Sequence, residues 1–135
     1  MSKLAHFGFT KLVVQDLEAM SSFYKNVAGL VELARYQDVV MERRIDEILF
    51  DGTGQGDPTF ILFKLLDRDA PAREEVILGF QTPDVVAFVE RVKANGGAVV
   101  ADVETRAKYG VKVAFVTDPE SHLIQVVEPL LRAER

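Results

Sequence analysis

Four polar side chains stand out because the strand-like runs that carry them are otherwise apolar: Lys11, Lys64, Gln81 and Gln125. Ammonium and amide N–H groups among apolar walls can receive a carboxylate, a phosphate or an oxygen-rich ligand. A lysine drawn into a low-dielectric pocket also gives up its proton more readily, so Lys11 and Lys64 are the candidate bases. The alternative is that both lysines carry their charged heads out to water from strand ends. Phe9, Phe60 and Tyr109 are candidate stacking partners for a flat ligand. Ordinary core packing is the competing role for the phenylalanines. Tyr109 falls in Lys108-Tyr109-Gly110, which reads as a flexible stretch.

Other chemistries find little support. The chain has two histidines and no cysteine. His6 and His122 lie on strand faces opposite the candidate cluster, so both are expected to be structural or at the surface. Glu47 and Glu128 read as solvated strand-edge charges. The run Gly-Thr-Gly-Gln-Gly at 52–56 lacks the Lys-Ser/Thr that completes a phosphate loop, and it reads as a hairpin turn. A net charge of −5 argues against a nucleic-acid partner, which needs a basic face. No apolar run approaches the ~20 residues of a membrane span. With 48% hydrophobic and 27% charged residues, the 135-residue chain is expected to be one globular domain, 1–135. The lack of cysteine fits the cytoplasm.

Two half-chains share one plan. Phe9–Val14 leads into Asp16, an N-cap, and Leu17, Met20, Phe23, Tyr24 and Val27 form an apolar stripe before Gly29. Ile77–Gln81 leads into Asp84, and Val85, Phe88, Val89 and Val92 repeat the stripe before Gly96-Gly97. Asp16 stands 13 residues before Gly29 and Asp84 stands 13 before Gly97, an offset of 68 between halves. Strand-like runs follow each helix, at 31–40, 45–50 and 59–65, then at 98–103, 111–116 and 122–127. The expected fold is α+β, with two βαβββ modules in tandem forming curved mixed sheets around a cleft. Module one covers about 5–66, a polar linker 67–75, module two about 76–129 and a tail 130–135. Strand parity sets Phe9 and Lys11, then Phe60, Leu62 and Lys64, then Ile77, Gln81 and Gln125 on the cleft side.

Two segments, VVQDLEAMSSFYKNVAGL and FVTDPESHLIQVVE, resemble the opening and closing signatures of the vicinal-oxygen-chelate superfamily. That superfamily contains glyoxalase I, bleomycin-resistance proteins and extradiol dioxygenases. The resemblance implies a metal held by one ligand from each of four strands: His, Glu or Gln, His or Gln, and Glu. Counting back from Asp16 and Asp84 puts the first and third places on Phe9 and Ile77, and the resemblance puts the second and fourth on Leu62 and Gln125. Three are hydrocarbon, and one neutral amide cannot hold a divalent cation alone. The expectation is therefore a metal-independent binding protein without cofactor, similar to the bleomycin-resistance branch, that sequesters a small apolar or aromatic ligand as a homodimer. The alternative is a lyase or isomerase working without the usual metal site.

Overall fold

The computed structural model describes residues 4, 9–40, 42–67 and 76–130. Residues 68–75 of the expected linker, 131–135 of the expected tail and His6 lie outside the described residues. Contacts divide the chain into two compact units, Met1–Ser21 with Leu30–Pro71, and Ser22–Gly29 with Ala72–Arg135. Among the described residues no helix is long and apolar enough to cross a membrane.

The first unit holds β1 (Thr10–Val13), the start of α1 (Leu17–Ala28), β2 (Val31–Val40), β3 (Arg43–Asp51) and β4 (Pro58–Leu65). Its sheet runs β1-β4-β3-β2, with β1 parallel to β4 and the other pairs antiparallel. Asp16 begins α1 as expected: its Oδ1 accepts the Ala19 N–H at 3.0 Å. Gly29 ends it in the left-handed region, where a residue without Cβ is unstrained. The turn at 52–56 closes on Asp51, whose carboxylate accepts the N–H groups of Thr53, Gly54 and Gly56.

The second unit repeats the plan with β5 (Ile77–Gln81), α2 (Val85–Ala94), β6 (Ala98–Arg106), β7 (Val111–Thr117) and β8 (Leu123–Pro129), in the order β5-β8-β7-β6. Asp84 caps α2 by accepting the Ala87 N–H at 3.0 Å. Glu128 is no solvated edge charge: its Oε1 accepts the Val85 N–H at 2.8 Å, satisfying another orphan donor of the same helix end. Gly97 stands where a Cβ would meet the Thr117 carbonyl oxygen and, at 2.5 Å, Val92 Cγ1. Strand β6 can approach β7 and α2 this closely only without a side chain. Leu78, Ile124, Val126, Val116 and Ala114 form the buried sheet face. Phe80 on that face stacks on Tyr24 at 6.3 Å and tilts against Phe88 at 5.9 Å.

A buried carboxylate ties this unit together. Asp118 Oδ2 accepts the Tyr24 hydroxyl at 2.8 Å and lies 2.7 Å from His122 Nδ1. An ionised carboxylate has only acceptors, so His122 presents Nδ1–H. Oδ1 accepts the backbone N–H groups of Glu120 and His122 at 2.9 and 3.0 Å. His122 is 7% exposed, which gives it the structural role expected for it. Burial pushes the Asp118 carboxyl up, but the bonds from the His122 side chain and backbone and from Tyr24 outweigh it, and the net shift is downward. Burial, then the negative charge of Asp118, then its hydrogen bond raise the Tyr24 hydroxyl well above its ordinary value.

The two shifts predict opposite limbs of a stability profile. The lowered Asp118 contributes stability above the ordinary aspartate pKa of about 3.9, lost as pH falls through its lower folded value. The raised Tyr24 contributes stability that is complete below about 10 and is lost as pH rises through the higher folded value. Tyr24→Phe should cost about 1–3 kcal/mol at neutral pH, because Asp118 loses a buried donor. It should also flatten the alkaline limb relative to wild type. Chemical denaturation from pH 3 to 11 checks both; equal alkaline slopes in the two proteins would show that Tyr24 does not titrate as described.

Candidate functional site

In the second unit Ile77, Gln81 and Gln125 share one face, opposite the buried one. The pairings Ile77 with Leu123, Gly79 with Gln125 and Gln81 with Val127 align β5 on β8. On the other side of β8, Phe115 pairs with Gln125 and Val113 with Val127. Cross-strand partners point the same way, so these residues form rows over one surface. Ile77 is 55% exposed, while Leu123, Gln125, Val127 and Phe115 are half-buried. Beside Gln125 the row contains Gly79, and a Cβ added there would meet nothing within 4 Å. The missing side chain leaves a notch bordered by the Gln125 amide. Among the described residues no side-chain hydrogen bond reaches Gln125. This surface has an apolar floor, an amide with free donors and acceptors, and room.

The first unit departs from the parity expected of it. The register places Lys11 opposite Ile61 and Leu12 opposite Leu62. Phe60, Leu62 and Lys64 therefore lie with Leu12 and Ile48, on the face away from Phe9 and Lys11. Leu62 is fully buried and Phe60 is 8% exposed, packed 6.3 Å from Phe50. The Lys64 ammonium donates to the Gln15 carbonyl oxygen at 2.6 Å, pinning the β1–α1 loop. These three are thus core and loop supports, because the parallel pairing of β1 with β4 is offset by one residue from the parity guess. The other face is not a bare cleft wall either: Ile45, Ile61, Phe63 and Leu65 are all buried.

Lys11 and Glu47, on β1 and β3, meet across the intervening β4 at 3.0 Å. The ammonium also lies over the rings of Phe63 at 4.8 Å and Phe9 at 6.0 Å. Glu47, read from sequence as a solvated charge, has a side chain only 13% exposed. The available clue was a pair of acids, Asp46 and Glu47, interrupting the apolar run from Ile45 to Phe50. A cavity of about 270 Å³, lined by Leu17, Glu18, Arg35, Gln37, Asp46 and neighbours, was not anticipated. Its Arg35 is held by Glu18 and Glu32, both at 2.5 Å.

The register also tests the metal places. Gln125 lies two residues beyond Leu123, the partner of Ile77. One step back along the β1–β4 register sets Phe9 opposite Thr59, and two residues on is Ile61, not Leu62. The set becomes Phe9, Ile61, Ile77 and Gln125, which still offers a single neutral oxygen donor. A divalent cation does not fit it. Among the described residues no group of three or more His, Cys, Asp or Glu is placed to hold a metal.

Tyr109 stands apart from these residues in sequence, on a defined turn. It closes a 3-10 turn, Ala107–Tyr109, capped by Gly110 in the left-handed region. The Gly110 N–H donates to the Ala107 oxygen at 3.0 Å, and the Leu130 N–H donates to the Gly110 oxygen at 2.9 Å.

Known proteins share both the sequence pattern and the architecture. Lactoylglutathione lyase GLX1 of Arabidopsis thaliana is 28% identical over 120 residues, 85% of this chain. The chain spans only 41% of that relative's length. A glyoxalase family protein from Bacillus cereus superposes with a TM-score of 0.83 at 18% identity, covering 96% of this chain and 97% of the other. The fosfomycin resistance protein FosX from Listeria monocytogenes gives 0.66 at 18%, over 96% and 97%. These likenesses carry the fold. The family model for the Glyoxalase/Bleomycin resistance protein/Dioxygenase superfamily matches residues 3–126, and with both four-stranded βαβββ modules in place this chain belongs to that superfamily.

Proposed function

We propose that this protein binds a small, largely apolar or aromatic molecule without a metal, in the manner of the bleomycin-resistance members of its superfamily. The observation that carries the reading is the Gln125 amide, without a side-chain partner among the described residues, beside the notch over Gly79. An amide on an apolar surface gains from a ligand oxygen or N–H, and the half-buried floor gains from an apolar body. The cysteine-free composition suits the reducing cytoplasm as its place of action. A second reading, metal-independent lyase or isomerase activity, is favoured by the lactoylglutathione lyase relative. Its candidate bases are Lys11 and Lys64, and both ammonium groups already hold a partner. Turnover of lactoylglutathione in chelator would establish that reading, and absence of turnover at high enzyme concentration would remove it.

Gly79→Val separates binding from stability. The added side chain enters open space and suits a strand, so melting temperature should hold or rise, by up to about 1 kcal/mol in stability. Binding of a neutral aromatic probe, phenylnaphthylamine, should fall at least roughly tenfold. Gln125→Leu should likewise leave melting unchanged or raised, since it removes an amide that the fold does not bond. If either variant lowers melting by many degrees and leaves probe binding intact, the surface is structural.

Metal content provides an independent check. Phe9, Ile61 and Ile77 supply no lone pair, so elemental analysis of the purified protein should find no stoichiometric transition metal, and a chelator should leave the melting curve in place. About one metal per chain, lost together with a fall in melting temperature, would contradict this.

Self-association belongs to the same reading. Val76 and Ile77 beside the ligand surface are 52% and 55% exposed, and apolar surface of this kind is commonly covered by a second copy. Light scattering at micromolar concentration should give the mass of a homodimer; a monomer mass would refute it.

A further inference from the structure

The turn after β6 places positive charge at one end of the Gln125 surface in a chain of net charge −5. Arg106 pairs with Val111 and Glu104 with Val113, and Val113 pairs with Val127. Arg106 therefore issues from the same sheet face as Gln125, one strand beyond Phe115 and four residues along. At ~3.3 Å per residue and ~4.8 Å per strand that is about 13 Å along the strands and about 14 Å across them, or roughly 20 Å from the notch on β5. Lys112 and Glu128, paired on alternate residues, belong to the opposite face. The Arg106 guanidinium lies 5.6 Å from the centre of the Tyr109 ring, and the Lys108 ammonium lies 5.5 Å from it. Tyr109 is 63% exposed, and the Gly110 cap with its two backbone bonds fixes the turn that carries it. Glu104, the nearest acid, is 3.9 Å from Arg106 and leaves that guanidinium only loosely neutralised.

We propose that Arg106, Lys108 and Tyr109 form the receiving end for an anionic group on the ligand, so that the protein selects an apolar or aromatic molecule ending in a carboxylate, sulfonate or phosphate. The proposal rests on the Gln125-face reading and specifies its ligand class. The apolar body lies over Phe115 and Val127 and points towards Gln125 and the Gly79 notch. The charged end meets a planar guanidinium and an ammonium preordered on one ring. A polyanion is the wrong partner, because the remaining surface is net acidic and repels an extended phosphate chain.

Two fluorescent probes with the same aromatic body distinguish the alternatives: anionic anilinonaphthalene sulfonate and neutral phenylnaphthylamine. Wild type should bind both, the anion more tightly, with a preference that shrinks as salt rises. The double variant Arg106→Gln, Lys108→Gln should weaken the anionic probe roughly tenfold or more and leave the neutral probe unchanged. Lys93→Gln, on α2, removes one charge elsewhere and should change neither. Circular dichroism and melting temperature confirm that each variant is folded. If the double variant weakens both probes equally or neither, or if Lys93→Gln matches its effect, the anion site is overturned while the Gln125-face reading stands. If Gly79→Val leaves the anionic probe bound, the turn binds anions apart from that face and the proposal fails. If wild type binds neither probe, the Gln125-face reading fails and takes this one with it.

Discussion

Asp118 has almost no access to water, and removing an ionised carboxylate from water is costly unless every lone pair is used. The second unit meets that demand with a phenol, an imidazole and two backbone N–H groups. Each donor is thereby fixed. The Tyr24 hydroxyl holds the latter half of α1, and the two N–H groups hold the turn into β8. Ser121 is held in the left-handed region within that turn. Strand β8 then starts at Leu123 with its parity set. Gln125 and Val127 face one way, and Ile124 and Val126 are buried the other way. The position of the Gln125 amide follows from how the carboxylate of Asp118, in the turn that leads into β8, is satisfied.

The two units use the same plan to different ends. In the second, one sheet face packs under helices and the other remains half-open, with an amide, a glycine notch and a charged turn. In the first, β4 is buried on both faces, and the lysines expected at a site are engaged. Lys64 secures a loop and Lys11 is matched by Glu47. The repeat therefore does not imply two equivalent sites.

Membership of a superfamily named partly for metal enzymes sits beside a donor set that a metal cannot use. Family likeness is carried by helix caps, helix stripes and strand alternation, which build the scaffold. Metal chemistry depends on four individual atoms, and these can change while the scaffold stays. With Phe9, Ile61 and Ile77 in those places, apolar contact replaces coordination as the available binding energy. On the proposed reading, the Gln125 amide oxygen orients the ligand through a hydrogen bond.

The sequence by itself determined the elements and their order. Asp16, Asp84 and Gly29 act within one helical turn, and strand alternation needs only neighbouring residues, so the two βαβββ modules were legible. The hydrocarbon character of the metal places was legible for the same reason, and a one-residue shift from Leu62 to Ile61 leaves it intact. Only the tertiary structure decided which side chains share a face in the first unit. Lys11 and Glu47 are 36 residues apart, Lys64 and Gln15 are 49 apart, and Tyr24 and Asp118 are 94 apart. No local signal links such pairs. Their alignment comes from the register of β4 between β1 and β3 and from helix packing. There, a slip of one residue would send the apolar side chains to the wrong side of the sheet.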